Sequence, residues 1–307
     1  MTTVAGHRRL ALAACATILL AAAPGPRIVH LPDGRGLALR CTGRGSPTIL
    51  LEGGWAASSL AWTRVQALLA KTSRVCSYDR AGMGLSDAGP LPRDGVAIAR
   101  DLDNGLRAAH IGGPFVVVGH SAGGLYVRIF ADRRPADVVG MVLVDPSVDH
   151  QDVRLAAVLG PGAGSTEALR ARTAACLAAV TARSLPRGPE LARCDLTVPA
   201  MTLAAEVAEL DSLWSATSDE VVAGRESYGA MPLIVLTAGA KHAALPEPAR
   251  RAADRVWAGL HAEIAERSTA GIRQTVAGAG HLIPRDDPDA VVDAVAKVVA
   301  AARHSGA

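Results

Sequence analysis

One serine of the chain lies in a motif that suits a nucleophile. Ser121 is the centre of Gly119-His120-Ser121-Ala122-Gly123, which directly follows an apolar run and precedes a helical pattern. In a sharp turn from a strand into a helix, such glycines permit close packing, and the serine hydroxyl stands clear of the sheet. The sequence therefore predicts that Ser121 is a nucleophile. A near-match, Gly84-Leu85-Ser86-Asp87-Ala88, lacks this setting, so Ser86 is predicted to be an ordinary loop residue.

A serine hydroxyl becomes an effective nucleophile only when a base takes its proton. Of the nine histidines, His281 is the best placed, because it lies between the last predicted strand and the last predicted helix. It follows Ser121 in the order that a serine–histidine pair has in this kind of strand–helix fold. We therefore predict His281 as the general base. His120 is next to Ser121, and its side chain is expected to point elsewhere.

The acid that would orient His281 is harder to place. The loop after the predicted strand 233–236 carries no carboxylate from residue 237 to residue 244. Asp145 ends the predicted strand 138–144, and the ends of neighbouring parallel strands face one crevice, so we predict Asp145 as the acid. Three different arrangements stay open: Glu247 as the acid, a serine–histidine dyad assisted by water, and a structural Asp145 that binds local backbone amides.

Acyl transfer also needs backbone donors for the developing oxyanion. One would be the amide of Ala122, which follows the nucleophile, and the other the amide of Gly54 in Glu52-Gly53-Gly54-Trp55. Glycines in this turn would let a substrate carbonyl approach the backbone closely. The competing hypothesis is that these glycines serve only to turn the loop.

Short β-branched runs alternate with longer helical patterns from about residue 36 onward. This alternation predicts an α/β fold with a mostly parallel sheet that helices cover on both faces. The predicted strands are 37–41, 48–52, 74–78, 115–118, 138–144, 233–236 and 272–276, and the predicted helices are 60–70, 96–110, 124–134, 248–267 and 288–302. Asp287 is expected to be the N-cap of the last helix.

No convincing strand is found in the sequence between residues 146 and 230. That interval has helix-like Ala and Leu patterns and is predicted to be a helical cap inserted into the core. The predicted domains are a signal peptide at 1–23, a first part of the core at 24–145, the cap at 146–230, and a second part of the core at 231–307.

Composition excludes several classes of protein. Half of the 307 residues are apolar and the net charge is only +3, so the chain must bury a core rather than stay disordered. Residues 1–23 resemble an export signal, with basic residues before a short apolar run, which predicts secretion. A buried N-terminal helix and a lipoprotein anchor at Cys15 are the competing hypotheses. The rest carries about +1, so neither nucleic-acid binding nor a stable membrane span is predicted.

Four cysteines remain after the leader, an even number in a compartment that permits disulfides. Local separation favours Cys41 with Cys76 and Cys176 with Cys194, although four cysteines allow three connectivities and could also be buried thiols. No metal-ligand spacing is present, so neither a metal nor a cofactor is predicted. Nothing in the sequence predicts the oligomeric state.

Together these motifs resemble a serine-nucleophile α/β-hydrolase, similar to bacterial prolyl aminopeptidase-like and esterase-like members. The matching segments are Ile49-Leu50-Leu51-Glu52-Gly53-Gly54, Tyr78-Asp79-Arg80-Ala81-Gly82-Met83-Gly84-Leu85-Ser86-Asp87, Val118-Gly119-His120-Ser121-Ala122-Gly123-Gly124-Leu125-Tyr126 and Gly280-His281. The resemblance implies the α/β-hydrolase fold, and its sheet order would place the strands of Cys41 and Cys76 side by side. Many members have His-Gly in place of Glu52-Gly53. In some relatives the acid follows the strand that here ends at Asp145.

The predicted function is that of a secreted serine hydrolase that cleaves a small carboxylic ester through an acyl-enzyme intermediate. The main rival is an aminopeptidase, which cleaves an amide and in which Glu206, Glu209 or Asp211 would bind the substrate's amino group. A non-catalytic binding protein and a cofactor-free oxidative enzyme stay open as further hypotheses. Trp55 beside the proposed oxyanion turn and Tyr126 after the serine motif are a large share of the few aromatic residues, so we expect mainly small aliphatic groups around the substrate.

Overall fold

A single eight-stranded sheet forms the centre of the molecule. The computed structural model describes residues 25–182 and 194–305, so the predicted leader and Cys15 lie outside the described residues. The strands, in the spatial order β1-β2-β4-β3-β5-β6-β7-β8, are β1 (Arg27–His30), β2 (Gly36–Thr42), β3 (Thr48–Glu52), β4 (Val75–Tyr78), β5 (Phe115–His120), β6 (Val138–Val144), β7 (Leu233–Ala238) and β8 (Gly271–Val276).

The sheet is parallel from β4 to β8, and only the pairs β1–β2 and β2–β4 are antiparallel. Every residue of β3, β5 and β7 is buried, which explains why these strands are continuous apolar runs in the sequence. The edge strand β8 is largely exposed in comparison. The carboxyl ends of β3, β5, β6 and β7 therefore meet at one edge of a covered sheet, where a site can form.

Helices cover the sheet on both faces. They are α1 (Thr63–Leu69), α2 (Gly95–Ala108), α3 (Gly123–Arg133), α4 (Gln151–Leu159), α5 (Glu167–Thr181), α6 (Ala200–Leu213), α7 (Ala216–Val222), α8 (Ala249–Ala265), α9 (Ile283–Asp286) and α10 (Pro288–Ser305). Two hydrophobic clusters separate the faces: α2, α3 and α8 pack on one side, and α1 and α10 on the other.

The interval between β6 and β7 contains α4 to α7. Within its described residues the only β contact is an isolated bridge between Gly229 and Ser268. Here α5 packs against α6, while α7 packs on α2 and α3. This part of the chain is therefore helical wherever the structure describes it, and α7 anchors it to two helices of the core.

Most predicted elements form within one or two residues of their expected bounds. The predicted helix 60–70 is instead a 3-10 turn (Ser59–Trp62) followed by α1, and the short edge strand β1 had no prediction. Asp287 accepts a hydrogen bond from the amide of Ala290, as expected of an N-cap.

Both predicted cysteine pairs lie at disulfide distance. Cys41 and Cys76 face each other across the antiparallel strands β2 and β4. Cys176 of α5 pairs with Cys194, which precedes α6. Each pair therefore joins two neighbouring elements, the first within the sheet and the second between β6 and β7.

Among the described helices, none has the length and the apolar character needed to cross a bilayer.

Candidate active site

Ser121 occupies the sharp turn between β5 and α3. Its φ of 54° lies in the left-handed region, which few residues other than glycine adopt. The flanking glycines are needed for space, because a Cβ at Gly119 would come within 2.4 Å of the Gly123 carbonyl oxygen. A Cβ at Gly123 would approach the Gly53 carbonyl oxygen to 2.6 Å. The backbone thus holds Ser121 at the carboxyl edge of the sheet.

Three predicted residues form a continuous hydrogen-bonded chain. The Nε2 atom of His281 lies 2.9 Å from the Oγ of Ser121, and its Nδ1 atom lies 2.6 Å from Oδ2 of Asp145. Because the carboxylate can only accept, Nδ1 carries the proton and Nε2 is free to accept the serine proton. The side chains come from the ends of β5, β6 and the loop after β8, which are far apart in sequence.

Asp145 is completely buried and accepts four hydrogen bonds. Its Oδ1 accepts from the Ala238 amide at 3.0 Å and from the Trp257 indole at 2.7 Å, while Oδ2 accepts from Lys241 and His281. Burial by itself raises the pKa of Asp145, but the hydrogen bond to His281 and the charge of Lys241 outweigh it and hold the pKa well below the ordinary range. Asp145 is therefore ionised in the folded protein at neutral pH.

The loop after β7, which lacks a carboxylate, supplies a cation. The Nζ atom of Lys241 lies 3.1 Å from Oδ2 of Asp145 and 3.4 Å from the centre of the Trp257 ring. Burial lowers the pKa of Lys241, and Asp145 partly opposes this shift. Sequence reasoning missed this contact because it considered only carboxylates in the loop. The available signal was Lys241, the one lysine or arginine among residues 237–244.

Two neutral histidines lie behind His281. His120 donates from Nε2 to the backbone carbonyl of His281 at 2.8 Å, and burial together with the charge of His281 lowers the pKa of His120 to about 4. His261 donates from Nε2 to the Pro146 carbonyl and accepts from Thr237 at Nδ1. Its burial lowers its pKa to about 4 as well. His120 therefore supports the loop of His281, and it also lines the cavity that contains Ser121.

The glycine turn after β3 lies against the nucleophile. A Cβ at Gly54 would come within 3.0 Å of the Ser121 Cβ and 3.2 Å of Nδ1 of His120. Gly54 and Ala122, the predicted oxyanion donors, both line the cavity that contains Ser121. The turn is thus close enough to contact a group bound to Ser121, and a larger residue than glycine would crowd it.

Behind the glycine turn lies a buried arginine that sequence reasoning did not single out. Arg80, from the loop after β4, is 2% exposed and binds Glu52, Glu209 and the carbonyls of the turn. Tyr78 donates a hydrogen bond to the other carboxylate oxygen of Glu52. Arg80 belongs to a segment that resembles the family, but its partner Glu209 lies 129 residues away and gives no local signal.

The cavity at Ser121 has a volume of about 370 Å³. Its apolar wall comes from Trp55 and from residues of α5, α6 and the turn after α6, namely Leu169, Leu210, Leu213 and Trp214. The lining combines small residues, namely Gly54, Ala57, Ala61 and Ala122, with larger groups that the low aromatic content did not predict, namely two tryptophans and several leucines. Tyr126 is buried under Arg80 and not part of the lining, because the helix after the elbow turns it inward.

The acidic residues considered for binding an amine or for orienting His281 are engaged elsewhere or lie away from the cavity. Glu209 is paired with Arg80, and Asp211 is exposed and pairs with Arg170. Burial and the neighbouring Glu209 raise the pKa of Glu206 to about 7, but its side chain is not part of the cavity lining. Glu247 is exposed at the start of α8 and pairs with Arg250 and Arg251. In the described residues, no Asp or Glu lines this cavity.

No group of three or more His, Cys, Asp or Glu side chains is arranged to hold a metal ion within residues 25–182 and 194–305. A second cavity, of about 360 Å³, lies between α2, α3 and α7 and is lined by Asp132, Arg133 and Glu220. It contains neither Ser121 nor His281. Of these two cavities, the first is therefore the one that contains the hydrogen-bonded pair of Ser121 and His281.

The chain belongs to the Alpha/beta hydrolase family, whose sequence profile matches residues 49–294. Among similar proteins, YqjL of Bacillus subtilis, described as uncharacterized, is 32% identical over 106 residues, which are 34% of this chain and 42% of that protein. An AB hydrolase superfamily protein of Gibberella zeae is 37% identical over 113 residues, 35% of each chain. The chain thus spans less than half the length of these curated relatives.

Solved structures with the same fold cover nearly the whole chain. A thermophilic esterase from Thermogutta terrifontis has a TM-score of 0.61 and 21% identity, covering 91% of this chain and 99% of its own. The enol-lactonase of Burkholderia xenovorans has a TM-score of 0.59 and 18% identity, with 89% and 100% covered. The epoxide hydrolase CorEH gives a TM-score of 0.60 at 19% identity, with 90% and 98% covered. At these identities the likeness establishes the fold.

Proposed function

We propose that the protein is a serine hydrolase that cleaves a small carboxylic ester through an acyl-enzyme intermediate. The observation that carries the proposal is the hydrogen-bonded chain from Ser121 through His281 to Asp145, which opens into a cavity bounded by Gly54 and Ala122. The fold family is one of hydrolases, and the chain adds a nucleophile, a base and an acid in mutual reach.

The reaction begins when His281 takes the proton of Ser121 as Oγ attacks the ester carbonyl carbon. The carbonyl oxygen becomes an oxyanion, to which the amides of Gly54 and Ala122 donate. When the C–O bond to the alcohol breaks, His281 returns its proton to the leaving alkoxide. Water then attacks the acyl group on Ser121 with His281 again as base, and the acid leaves as Ser121 regains its proton.

Asp145 has two tasks in this scheme. It holds the His281 ring in the tautomer that leaves Nε2 unprotonated, and it stabilises the positive ring that forms during both attacks. The bonds from Ala238, Trp257 and Lys241 fix the carboxylate, so its second oxygen stays directed at His281. The same donors keep Asp145 ionised, so it accepts from His281 without taking a proton.

Three observations favour an ester over an amide, an epoxide or a halide. An aminopeptidase needs a carboxylate for the substrate's amino group, and no described Asp or Glu side chain lines the cavity. Glu209, one of the acids considered for that role, is held by Arg80. Members that open epoxides or remove halogens use an aspartate nucleophile, whereas this chain has Ser121. Turnover of p-nitrophenyl acetate without turnover of proline β-naphthylamide is the expected outcome.

The segment from residue 146 to residue 230 would act as the cap of this site. Residues of α5 and α6 supply the apolar wall over Ser121, so they would contact the acyl or alcohol part of the substrate. The two cysteine pairs support export, because disulfides persist in oxidising compartments. Recovery of the active protein from the culture medium, with residues 1–23 removed, would test secretion.

The experiment that tests the proposal is replacement of the nucleophile. Ser121→Ala should abolish labelling by a fluorophosphonate probe and reduce ester turnover by about 10⁴-fold or more. Ser86→Ala is the matched control, because Ser86 lies in the near-match motif and its hydroxyl bonds to the backbone of Asp79 and Ala38. Labelling that persists in the Ser121 variant would refute the assignment. If the folded wild type binds esters without turning them over, the protein is a binding protein. If turnover requires peroxide, it is an oxidative enzyme.

A further inference from the structure

We infer that Arg80 is a positioning residue, which aims the Gly54 amide at the reacting oxygen and connects the glycine turn to α6 through Glu209. The inference rests on the proposed function, because it concerns the oxyanion site of that reaction. Arg80 lies behind the turn, does not line the cavity and has no access to substrate. Any effect of Arg80 on turnover must therefore act through the groups that it holds.

Arg80 uses every donor of its guanidinium group. Nε donates to Oε1 of Glu209 at 2.7 Å, and Nη2 donates to Oε2 of Glu209 at 2.9 Å and to the Gly54 carbonyl at 2.8 Å. Nη1 donates to Oε1 of Glu52 at 2.7 Å and to the Gly53 carbonyl at 2.9 Å. Five N–H groups thus meet five acceptors, the maximum that arginine allows. With no spare donor and almost no exposure, the side chain has a single satisfied arrangement.

The bond to Gly53 decides the direction of the Gly54 amide. The Gly53 carbonyl and the Gly54 N–H belong to one planar trans peptide, in which the two groups point in opposite directions. Because Arg80 holds the Gly53 carbonyl, the Gly54 N–H must point away from Arg80. Gly54 itself lies against the nucleophile, since a Cβ there would come within 3.0 Å of the Ser121 Cβ. A hydrogen bond at the carbonyl also polarises the peptide and strengthens its N–H as a donor.

A glycine turn needs such support, because glycine itself does not restrict φ and ψ. Without Arg80 the Gly53–Gly54 peptide could rotate, and its N–H would leave the oxyanion position. Glu52 anchors the arginine to the end of β3, and Tyr78 anchors Glu52 from β4. The support therefore reaches back into the central strands of the sheet.

Glu209 extends the same support to the wall of the cavity. It belongs to α6, and the next residue, Leu210, lines the cavity. A second tether runs parallel to it, since the Trp55 indole donates to the Glu206 carbonyl of α6 at 2.9 Å. The turn and α6 are thus joined at both Arg80 and Trp55. A shift of α6 on substrate binding would be transmitted to the Gly54 amide.

Two variants test the inference. Arg80→Lys keeps the charge but has three donors, too few for two carboxylates and two carbonyls. Glu209→Gln keeps the shape of the side chain and releases one ion pair of Arg80. Arg93→Lys is the matched control, because Arg93 is equally buried, pairs with Asp101 at 3.0 Å and has no described bond to the glycine turn. Thermal unfolding curves of all three variants show the temperature range in which each is folded, and the kinetics are measured within that range.

For a p-nitrophenyl ester, Arg80→Lys should lower kcat about 30-fold with KM changed less than about threefold, since oxyanion donors act in the transition state. Glu209→Gln should lower kcat about threefold to tenfold. Inhibition by a trifluoromethyl ketone, whose adduct carries an oxyanion, should weaken by the same factor as kcat/KM in each variant. A residue with only a structural role would not produce this parallel loss.

The outcomes separate this inference from the proposed function. If the wild type and Arg93→Lys turn over the ester while both test variants keep kcat and ketone affinity within about twofold, the role of Arg80 is overturned and the serine hydrolase stands. A loss confined to KM would overturn it too. A wild type inert to both ester and fluorophosphonate would overturn the proposed function, and this inference with it.

Discussion

Two charged clusters lie beside the Ser121 site, and they are built differently. The first joins Asp145 to His281 and Lys241, and the second joins Arg80 to Glu52 and Glu209. The side chain of His281 is 38% exposed at the cavity, whereas the side chains of the second cluster are at most 3% exposed. Only the first cluster includes a histidine, the side chain that most often serves as a general base.

This contrast shows how burial divides tasks between the clusters. The proposed base must reach a substrate and exchange a proton with it, which agrees with the exposure of His281 at the cavity while its partner Asp145 is buried and fixed. A support must not change, so Arg80 is enclosed and pairs with two carboxylates. The paired carboxylates outweigh burial and raise the already high pKa of Arg80, so its charge is constant at every pH of interest. The first cluster is expected to control rate, and the second to control both rate and stability.

The largest expected effect is on rate, from the first cluster. In Asp145→Asn an amide N–H₂ would face His281 and force its proton onto Nε2, the wrong tautomer for accepting the Ser121 proton. Asparagine tolerates the left-handed backbone of residue 145, so the chain should still fold. Ester kcat should fall about 10⁴-fold. Steady-state kinetics with circular dichroism of the same sample would measure this.

If Asp145→Asn keeps the wild-type rate, the first cluster does not control turnover and Asp145 has only a structural role. The matched control is Asp254→Asn. Asp254 belongs to α8 and pairs with His242 at 2.8 Å. Its side chain is 39% exposed and lies outside the cavity. This variant should keep kcat within about twofold, because it leaves all four bonds of Asp145 intact.

The next effect is on stability, from the second cluster. Arg80→Met should lower the free energy of unfolding by about 3–5 kcal/mol, because it leaves the carboxylates of Glu52 and Glu209 buried without a cation. Urea unfolding at neutral pH would measure the change. The double variant Glu209→Gln with Arg80→Met should recover part of it, since one buried charge is gone. A loss below about 1 kcal/mol would mean that the cluster is not the rigid support described above.

The smallest expected effect is the pH dependence of stability beside the first cluster. Burial lowers the pKa of His261 from 6.5 to about 4, so the folded state disfavours the charged ring. The neutral ring of His261 contributes its full stabilisation above about pH 6.5. As the pH falls from there through about 4, the unfolded chain binds the proton before the folded protein does, so this stabilisation is lost. Between about pH 7 and about pH 4.5, this single group should remove about 2 kcal/mol.

His261→Gln isolates that contribution. The amide of glutamine can donate to the Pro146 carbonyl and accept from Thr237 as the ring does, but it does not titrate. Urea unfolding at both pH values should show that the free energy of unfolding of the variant decreases less between about pH 7 and about pH 4.5 than that of the wild type, by about 2 kcal/mol. Equal slopes would place the acid sensitivity in other groups, and His120 would be the next candidate.

The sheet and the central site residues were predictable because their signals are local. β3, β5 and β7 are buried on both faces and form apolar runs, while the turn around Ser121 needs glycines that the motif displays. Asp145 could be proposed because it ends a strand parallel to the one before Ser121. In contrast, β1 is a short edge strand with three of its four residues exposed, so it has almost no hydrophobic pattern.

The two clusters could not be predicted as clusters, since their members are joined by tertiary packing. Lys241 reaches Asp145 across 96 residues, and Glu209 reaches Arg80 across 129. No periodicity encodes such a pair, and each residue alone is an ordinary charged side chain. The place of Trp214 in the cavity wall was also missed, because low aromatic content describes the whole chain and not where its few tryptophans lie.

The left-handed backbone of Ser121 and Asp145 has a consequence for any effort to make the protein more robust. Aspartate is a residue type that tolerates the left-handed region, as at φ 41° here, whereas Ser121 held at φ 54° carries conformational strain of about 1–3 kcal/mol. Substitutions that relax the strain, such as Ser121→Gly, would raise thermal tolerance and remove the nucleophile at the same time. The native sequence thus retains local instability at its proposed nucleophile, and selection for heat resistance alone would favour variants that lack this serine.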